Sequence, residues 1–204
     1  SGGAGKMAVL TYSMPFWIVP LAWWWLGERP GRTRWLCIAA AAVGFVLVVE
    51  PWQPLGAARS IALALASGLM WAVSAVLAKR MFQKYPDVTP LRLTAWQMLV
   101  GTVALVAVAL LVPERGIHWT AGYVGALLYA GFLASSIAWV AWAVVVQRVA
   151  ASVAGLTSLA VPVCSVLFAW ALLGESPSAV EWLGIALIAA ALAVLNFAGT
   201  RRAP

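Results

Sequence analysis

LGERPGRTRWL (residues 26–36) and LGESPSAVEWL (173–183) are two versions of one motif. The shift of 147 residues that aligns them also aligns the ungapped stretch 15–39 with 162–186, where 12 of 25 positions are identical. The identities include a proline, a Gly-Glu pair and a Trp-Leu pair, and sequence rich in Ala and Leu does not produce such matches by chance. The chain therefore contains an internal repeat.

The composition places this repeat in a membrane protein. Of the 204 residues, 64% are hydrophobic and only 9% are charged, whereas soluble domains average roughly 45–50% and about 25%. So few charged residues could not cover the surface of a water-soluble protein. The two cysteines both lie within apolar runs, so a disulfide framework is not indicated.

Seven stretches are long and apolar enough to cross a bilayer, which takes about 20 residues. They are rich in Ala and Leu and lack the alternation of a membrane β-barrel. The sequence predicts an all-α polytopic membrane protein, a transmembrane helix bundle. The spans, called A to G, are 8–26, 33–50, 60–78, 91–112, 121–147, 152–173 and 180–198.

The number of spans sets the orientation of the two repeat copies. Spans A and B correspond to F and G, and five spans separate the start of A from the start of F, so the copies are inverted with respect to each other. Ten of the 13 Lys and Arg residues fall on one side of the membrane. By the positive-inside rule that side is cytoplasmic and includes the C-terminus. This placement accounts for the net charge of +7, and no nucleic-acid partner is expected.

The two copies differ in length. Three spans precede the pair F–G in the second copy, whereas only 14 residues precede Pro15 in the first. Completing the first copy requires roughly 85–90 further residues and three further spans ahead of Ser1. We therefore expect this chain to be the C-terminal seven helices of a ten-helix protein, with the first three missing.

Three segments carry a resemblance: LTYSMPFW…LGERP (10–30), TSLAVPV…LGESP (157–177) and WAVSAVLAKR (71–80). They resemble the EamA-like family of the drug/metabolite transporter superfamily. The resemblance implies two parts, the end of a first repeat with two helices (1–55) and a complete second repeat with five (56–204). It also implies a secondary transporter in the bacterial inner membrane, exporting small metabolites such as amino acids or drug-like compounds by alternating access. A non-transporting assembly subunit, or an inactive fragment, is the alternative.

Two pairs of repeat-related residues are candidates for conformational change. Pro15 and Pro162 lie inside spans A and F, where each removes a backbone hydrogen bond and is expected to kink its helix. The kinks either flex during transport or are static packing features. Glu28 and Glu175 follow the glycines that end spans A and F. Each carboxylate either forms a gating contact or orders its loop through a local hydrogen bond, with Arg29 as a neighbour of Glu28.

The candidate lining of a substrate pathway is aromatic and neutral. It combines ring and hydroxyl side chains with a glutamine inside span D, a residue that tends to face a bundle or cavity rather than lipid. The substrate-pathway candidates are Tyr12, Trp71, Gln97, Ser136 and Trp139.

Enzymatic signatures are missing from the sequence: it has one histidine and neither an HExxH nor a GxSxG motif. We expect no catalytic residues, no metal and no cofactor. The expected partners are the lipid bilayer and a small-molecule substrate, and a homodimer is left open.

Overall fold

A computed structural model describes residues 9–53, 57–111, 116, 118–174 and 176–200, and no strand occurs among them. The predicted all-α fold is confirmed. The helices are α1 (Met14–Leu26), α2 (Arg32–Val49), α3 (Ala58–Lys84), α4 (Pro90–Leu111), α5 (Ala121–Leu128), a π-helical segment (Tyr129–Ile137), α6 (Ala138–Arg148), α7 (Ala151–Thr157), α8 (Ala160–Leu173) and α9 (Ala179–Thr200).

Five helical stretches are long and apolar enough to cross a membrane. Two further helices, α1 and the apolar part of α9 (Ala179–Leu195), are shorter within the described residues. Each of the seven predicted spans therefore corresponds to a helical stretch. The five long stretches are Arg32–Val49, Ala58–Lys84, Pro90–Leu111, Ala121–Arg148 and Ala151–Leu172.

Spans A and F are both interrupted just before their repeat-related prolines. In span A the helix gives way to a turn at residues 12–13, and α1 begins at Met14. In span F, α7 ends at Thr157, a turn covers 158–159, and α8 begins at Ala160. A proline ring lacks the N–H and clashes with the carbonyl four residues back, which disfavours a continuous helix at these points. The turns lie where the sequence predicts kinks, and their residues keep right-handed helical dihedral angles. Pro20, by contrast, lies inside α1 without a turn.

Span E is not a uniform α-helix. Its middle, Tyr129–Ile137, is π-helical, with α-helix on both sides. The Ser136 hydroxyl donates a hydrogen bond of 2.8 Å to the Gly131 carbonyl five residues earlier, which matches the wider π turn. The full stretch Ala121–Arg148 has 28 residues, more than the roughly 20 that a bilayer requires.

The chain forms two compact units. The first comprises the described parts of Ser1–Leu77 and Ala150–Pro204, and the second is the described part of Ala78–Val149. The first unit thus holds both copies of the repeated motif. Within the second, α4 packs against α6.

The core of the first unit is the packing of α2 against α9, the second helices of the two repeat copies. Glu50 Oε1 accepts a hydrogen bond from the Ser178 hydroxyl (3.1 Å) at one end of this pair. Six residues further inside on each helix, the backbones of Gly44 and Gly184 touch, and a Cβ on Gly44 would lie 2.7 Å from the Gly184 carbonyl oxygen. Residues that contact each other have decreasing numbers along α2 and increasing numbers along α9. The two helices are therefore antiparallel, as an inverted repeat requires.

Burial repeats with the same 147-residue shift. The buried positions of α2 include residues 37, 38, 41, 44 and 48, and their counterparts 184, 185, 188, 191 and 195 are buried on α9. The two helices therefore use equivalent faces for the contact, and the repeat detected in the sequence is also a repeat in packing.

The start of α9 carries a capping box formed by Ser178 and Glu181. The Glu181 N–H donates to the Ser178 hydroxyl (3.0 Å), and the Ser178 N–H donates to Glu181 Oε2 (2.7 Å). These two bonds satisfy backbone donors that a helix N-terminus otherwise leaves unpaired.

Candidate functional site

The turn after α1 directs Glu28 away from its own helix. Gly27 ends α1 in the left-handed region, with φ of 68°, a conformation that side chains disfavour. The Glu28 N–H donates back to the Ala22 carbonyl at 3.2 Å, which closes the helix end. The chain leaves the axis of α1 at this point, so the Glu28 side chain is free to reach a different element.

That element is the start of α7. Glu28 Oε1 accepts the N–H of Ala151 (2.7 Å), and Oε2 accepts both the N–H of Ser152 (3.0 Å) and its hydroxyl (2.7 Å). Both donor residues are buried. A carboxylate at a helix N-terminus satisfies unpaired N–H groups and is favoured by the helix dipole. Glu28 is therefore the N-terminal cap of α7, supplied from 123 residues away.

The hydrogen-bond partners of Glu28 lie on a distant helix and not in its own loop. Arg29 is adjacent in sequence, but an exposed ion pair contributes little in water. The buried donors of Ala151 and Ser152 have no such access to solvent, and leaving them unbonded would be costly. The carboxylate therefore serves α7. Its repeat-related counterpart, Glu175, lies outside the described residues.

Helix α7 is a segment of seven residues with a distinct contact at each end. Glu28 caps its first residues, and the turn at 158–159 separates it from α8. Between these points α7 packs against α1, and Gly155 is the site of closest approach, because a Cβ there would collide with Ile18 Cγ2. The Ser158 hydroxyl donates to the Gly155 carbonyl (2.7 Å) within the broken turn. The segment is thus held by one carboxylate, one glycine contact and one proline-linked turn.

In the second unit, Lys79 caps the end of α6. Its ammonium group donates to the carbonyls of Gln147 (2.9 Å) and Val149 (2.7 Å). A cation at a helix C-terminus satisfies carbonyls that lack an intrahelical partner and is favoured by the dipole. From the sequence alone, Lys79 was only one of the basic residues assigned to the cytoplasmic side.

Two of the predicted pathway residues meet in the first unit. The rings of Tyr12 and Trp71 contact edge to face, with centroids 5.6 Å apart. Tyr12 lies in the broken turn before α1, and α3 approaches that turn closely at Gly68, where a Cβ would lie 2.5 Å from the Ser13 hydroxyl and 2.8 Å from the Thr11 carbonyl oxygen. The absence of a side chain at Gly68 therefore brings Trp71, one turn later on α3, against Tyr12.

The other three predicted pathway residues belong to the second unit. Gln97 is exposed on α4, one turn from the buried Thr94. Ser136 lies in the π-helical segment, bonded to Gly131 as described above. Trp139 follows on α6 with about a third of its surface exposed (37%). A transport role for these five residues stays a prediction.

The residues that sequence reasoning missed are Ser152, Lys79 and Gly68. The sequence offers a weak signal for Ser152, a capping-type residue just after the short junction between spans E and F. Nothing in the sequence pairs it with Glu28, since the two are more than half of the chain apart.

Comparison with known proteins decides the family. The sequence profile of the EamA-like transporter family matches residues 1–50 and 58–197. The chain belongs to the EamA-like transporter family. Among relatives of this family, it is 26% identical to the uncharacterized transporter YoaV of Bacillus subtilis, over 98% of this chain and 68% of that protein. It is 29% identical to a riboflavin transporter of Rhizobium johnstonii, over 89% and 58%. A probable amino-acid metabolite efflux pump of Salmonella typhimurium is 26% identical, over 95% and 68%.

The fold is shared with a protein of known crystal structure. The match has a TM-score of 0.78 at 22% identity and covers 96% of this chain and 69% of the other. The chain thus spans between 58% and 69% of the length of these matched proteins. The EamA-like assignment agrees with the resemblance read from the LGERP and LGESP motifs.

Proposed function

We propose that this chain forms part of a secondary transporter that exports small metabolites, such as amino acids or drug-like compounds, across the bacterial inner membrane by alternating access. The observation that carries this proposal is the pair of broken helices in an inverted repeat of an EamA-like protein. Inverted repeats and interrupted helices recur in secondary transporters, where exchange of conformation between the two halves exposes one site to each side in turn.

The neutral aromatic candidates favour particular substrates. The Tyr12–Trp71 pair offers ring edges and faces, and Gln97 and Ser136 offer uncharged hydrogen-bonding groups. All six carboxylates lie at predicted span ends or in loops, so no carboxylate is placed to neutralise a cationic solute in mid-membrane. This chemistry suits neutral, zwitterionic or aromatic solutes. Two relatives are named for such cargo, a riboflavin transporter and a probable amino-acid metabolite efflux pump.

Glu28 has a role in the proposed cycle as a latch on α7. In the conformation described here its three hydrogen bonds fix the start of α7 to the turn after α1. Movement of the start of α7 away from the turn after α1 would break these bonds. The proposal therefore assigns Glu28 a gating function through α7.

Orientation is part of the same proposal. The excess of Lys and Arg places the turn that contains Glu28, and the C-terminus, in the cytoplasm. A fluorescent protein fused to the C-terminus should be fluorescent in intact cells, and a periplasmic alkaline phosphatase fused there should be inactive. The reverse pattern would contradict the orientation.

The experiment that tests transport is solute flux in proteoliposomes containing the full-length protein. The panel should contain riboflavin, the amino acids and several drug-like aromatic amines, each compared with protein-free vesicles. We expect saturable flux of at least one solute. The absence of flux from a folded, reconstituted protein across the whole panel would favour the assembly-subunit alternative.

Pathway residues are tested in the same vesicles. Gln97→Leu should alter the KM or rate for the transported solute while leaving expression unchanged, because it removes a hydrogen-bonding group without loss of volume. Thr102→Val, also on α4, changes a polar side chain outside the predicted site and serves as the control. Unaltered transport in Gln97→Leu would exclude Gln97 from the pathway.

A further inference from the structure

A cavity of about 300 Å³ opens at the surface of the first unit, at the end of α1 and the start of α2. Its lining consists of two indole rings, an arginine and a proline: Trp23, Arg29, Pro30 and Trp35. Both tryptophans are about half exposed, at 53% and 46%. Neither the pathway residues nor the Glu28 cap is part of this lining, so the cavity has no role in the transport proposal.

The repeat supplies an internal comparison for this cavity. The 147-residue shift maps Trp23, Pro30 and Trp35 onto Trp170, Pro177 and Trp182, so both copies have the same frame of two tryptophans and a proline. In the second copy the two rings contact each other, with centroids 5.4 Å apart and planes at 83°. In the first copy the equivalent rings line an open cavity instead. The position equivalent to Arg29 in the second copy is a serine. The open cavity and the arginine therefore occur together in the first copy.

Arg29 is available to a ligand. The neighbouring carboxylate, Glu28, is bonded to α7 and not to Arg29. Within the part of the chain that the structure describes, Arg29 forms no hydrogen bond or ion pair. Arg32 and Arg34 follow in the first turn of α2 and add positive charge to the same segment. An anion that entered would therefore meet an unpaired guanidinium.

We propose that this cavity binds the headgroup phosphate of an acidic phospholipid. A guanidinium matches phosphate oxygens through two parallel N–H donors. Exposed tryptophans at span ends lie at the headgroup level of a bilayer, which places this cavity at the level of the lipid headgroups. Acidic lipids are drawn to basic residues at such positions by about fivefold in affinity per Lys or Arg. Charge and location thus favour a lipid headgroup over a soluble anion.

The test is native mass spectrometry of the purified full-length protein in detergent, titrated with phosphatidylglycerol and, separately, with phosphatidylcholine of the same chains. We expect tighter binding of at least one phosphatidylglycerol. Arg29→Gln should weaken that binding about fivefold. Arg29→Lys keeps the charge and should weaken it less. Arg59→Gln removes the same charge from an exposed arginine at the start of α3 and should leave the affinity within twofold. Arg29 is exposed in a loop, and the elution volume of each variant checks that it is folded.

Three results would overturn the proposal. Equal affinity for the two lipids would show that the cavity does not recognise the acidic headgroup. Equal loss in Arg29→Gln and Arg59→Gln would assign the attraction to diffuse surface charge. Glycerol phosphate that binds and displaces the lipid at matched concentration would identify a soluble phosphate site. None of these readouts involves solute flux, so the lipid site can fail while the transport proposal stands, and the reverse.

Discussion

Replacement of Glu28 by alanine should destabilise the protein through the start of α7. The change removes three hydrogen bonds and leaves the N–H groups of Ala151 and Ser152 buried without an acceptor. Hydrogen bonds to charged groups contribute about 1.5–3 kcal/mol each, but bonds that share one carboxylate are not additive. Glu28 is only half-buried, so water can partly replace the lost acceptor. We expect the free energy of unfolding to fall by about 2–4 kcal/mol for Glu28→Ala.

Two further variants separate the contributions. Glu28→Gln retains one acceptor oxygen but loses the charge, and should lose about 1–2 kcal/mol. Ser152→Ala removes only the hydroxyl bond and should lose about 1 kcal/mol. Because the hydroxyl and the carboxylate bond each other, the double variant Glu28→Ala/Ser152→Ala should lose about 1 kcal/mol less than the sum of the two single losses.

The assay is unfolding of the full-length protein from mild detergent by titration with sodium dodecyl sulfate, followed by far-UV circular dichroism. Glu181→Ala is the matched control, since Glu181 also caps a helix N-terminus but at an exposed site, where we expect a loss of about 1 kcal/mol or less. A loss in Glu28→Ala no larger than that in Glu181→Ala, or losses that simply add in the double variant, would refute Glu28 as the cap of α7.

Other predictions concern the packing and the helix ends. Gly44→Ala should lower the free energy of unfolding by about 1–3 kcal/mol, because the added Cβ would meet backbone atoms. Gly101→Ala should be neutral or stabilising, because no atom lies within 4 Å of its added Cβ. The same detergent titration checks both variants. Pro162→Ala should preserve folding but reduce flux in proteoliposomes by restoring a continuous helix, while Pro20→Ala in unbroken α1 should keep most of the flux; equal flux in both variants would make the break a static feature. Lys79→Met should lose about 1–3 kcal/mol by exposing the α6 carbonyls, and an unchanged unfolding midpoint would show that water replaces the ammonium.

The sequence predicted the features that depend on local chemistry and on the repeat. The turns before Pro15 and Pro162 lie where a missing N–H and a ring clash are expected to kink a helix, although Pro20 is accommodated inside α1. The opposite orientation of α2 and α9 follows from the number of spans between the repeat copies, whereas their packing against each other was not predicted.

Features that depend on long-range packing could not be predicted. The partners of Glu28 are 123 and 124 residues away, and only the folded chain brings them together. The residues of the π-helical segment within Ala121–Arg148 have an apolar composition like that of the α-helices beside it, so composition could not reveal it. Only the length of that span, which exceeds what a bilayer needs, was unusual. Tyr12 and Trp71 were both candidates, but their contact depends on the space that Gly68 leaves beside the broken turn.

Conformational exchange at the repeat-related breaks is the central claim, and the most direct test is flux through the full-length protein with and without Pro162. Proteoliposomes with the unaltered protein should show saturable flux of at least one solute on the panel. Pro162→Ala should lose most of that flux while unfolding at the same or a higher detergent concentration, because alanine restores a backbone hydrogen bond. Full flux in the Pro162→Ala protein would contradict flexing at the break, and no flux from the folded, unaltered protein would contradict transport itself.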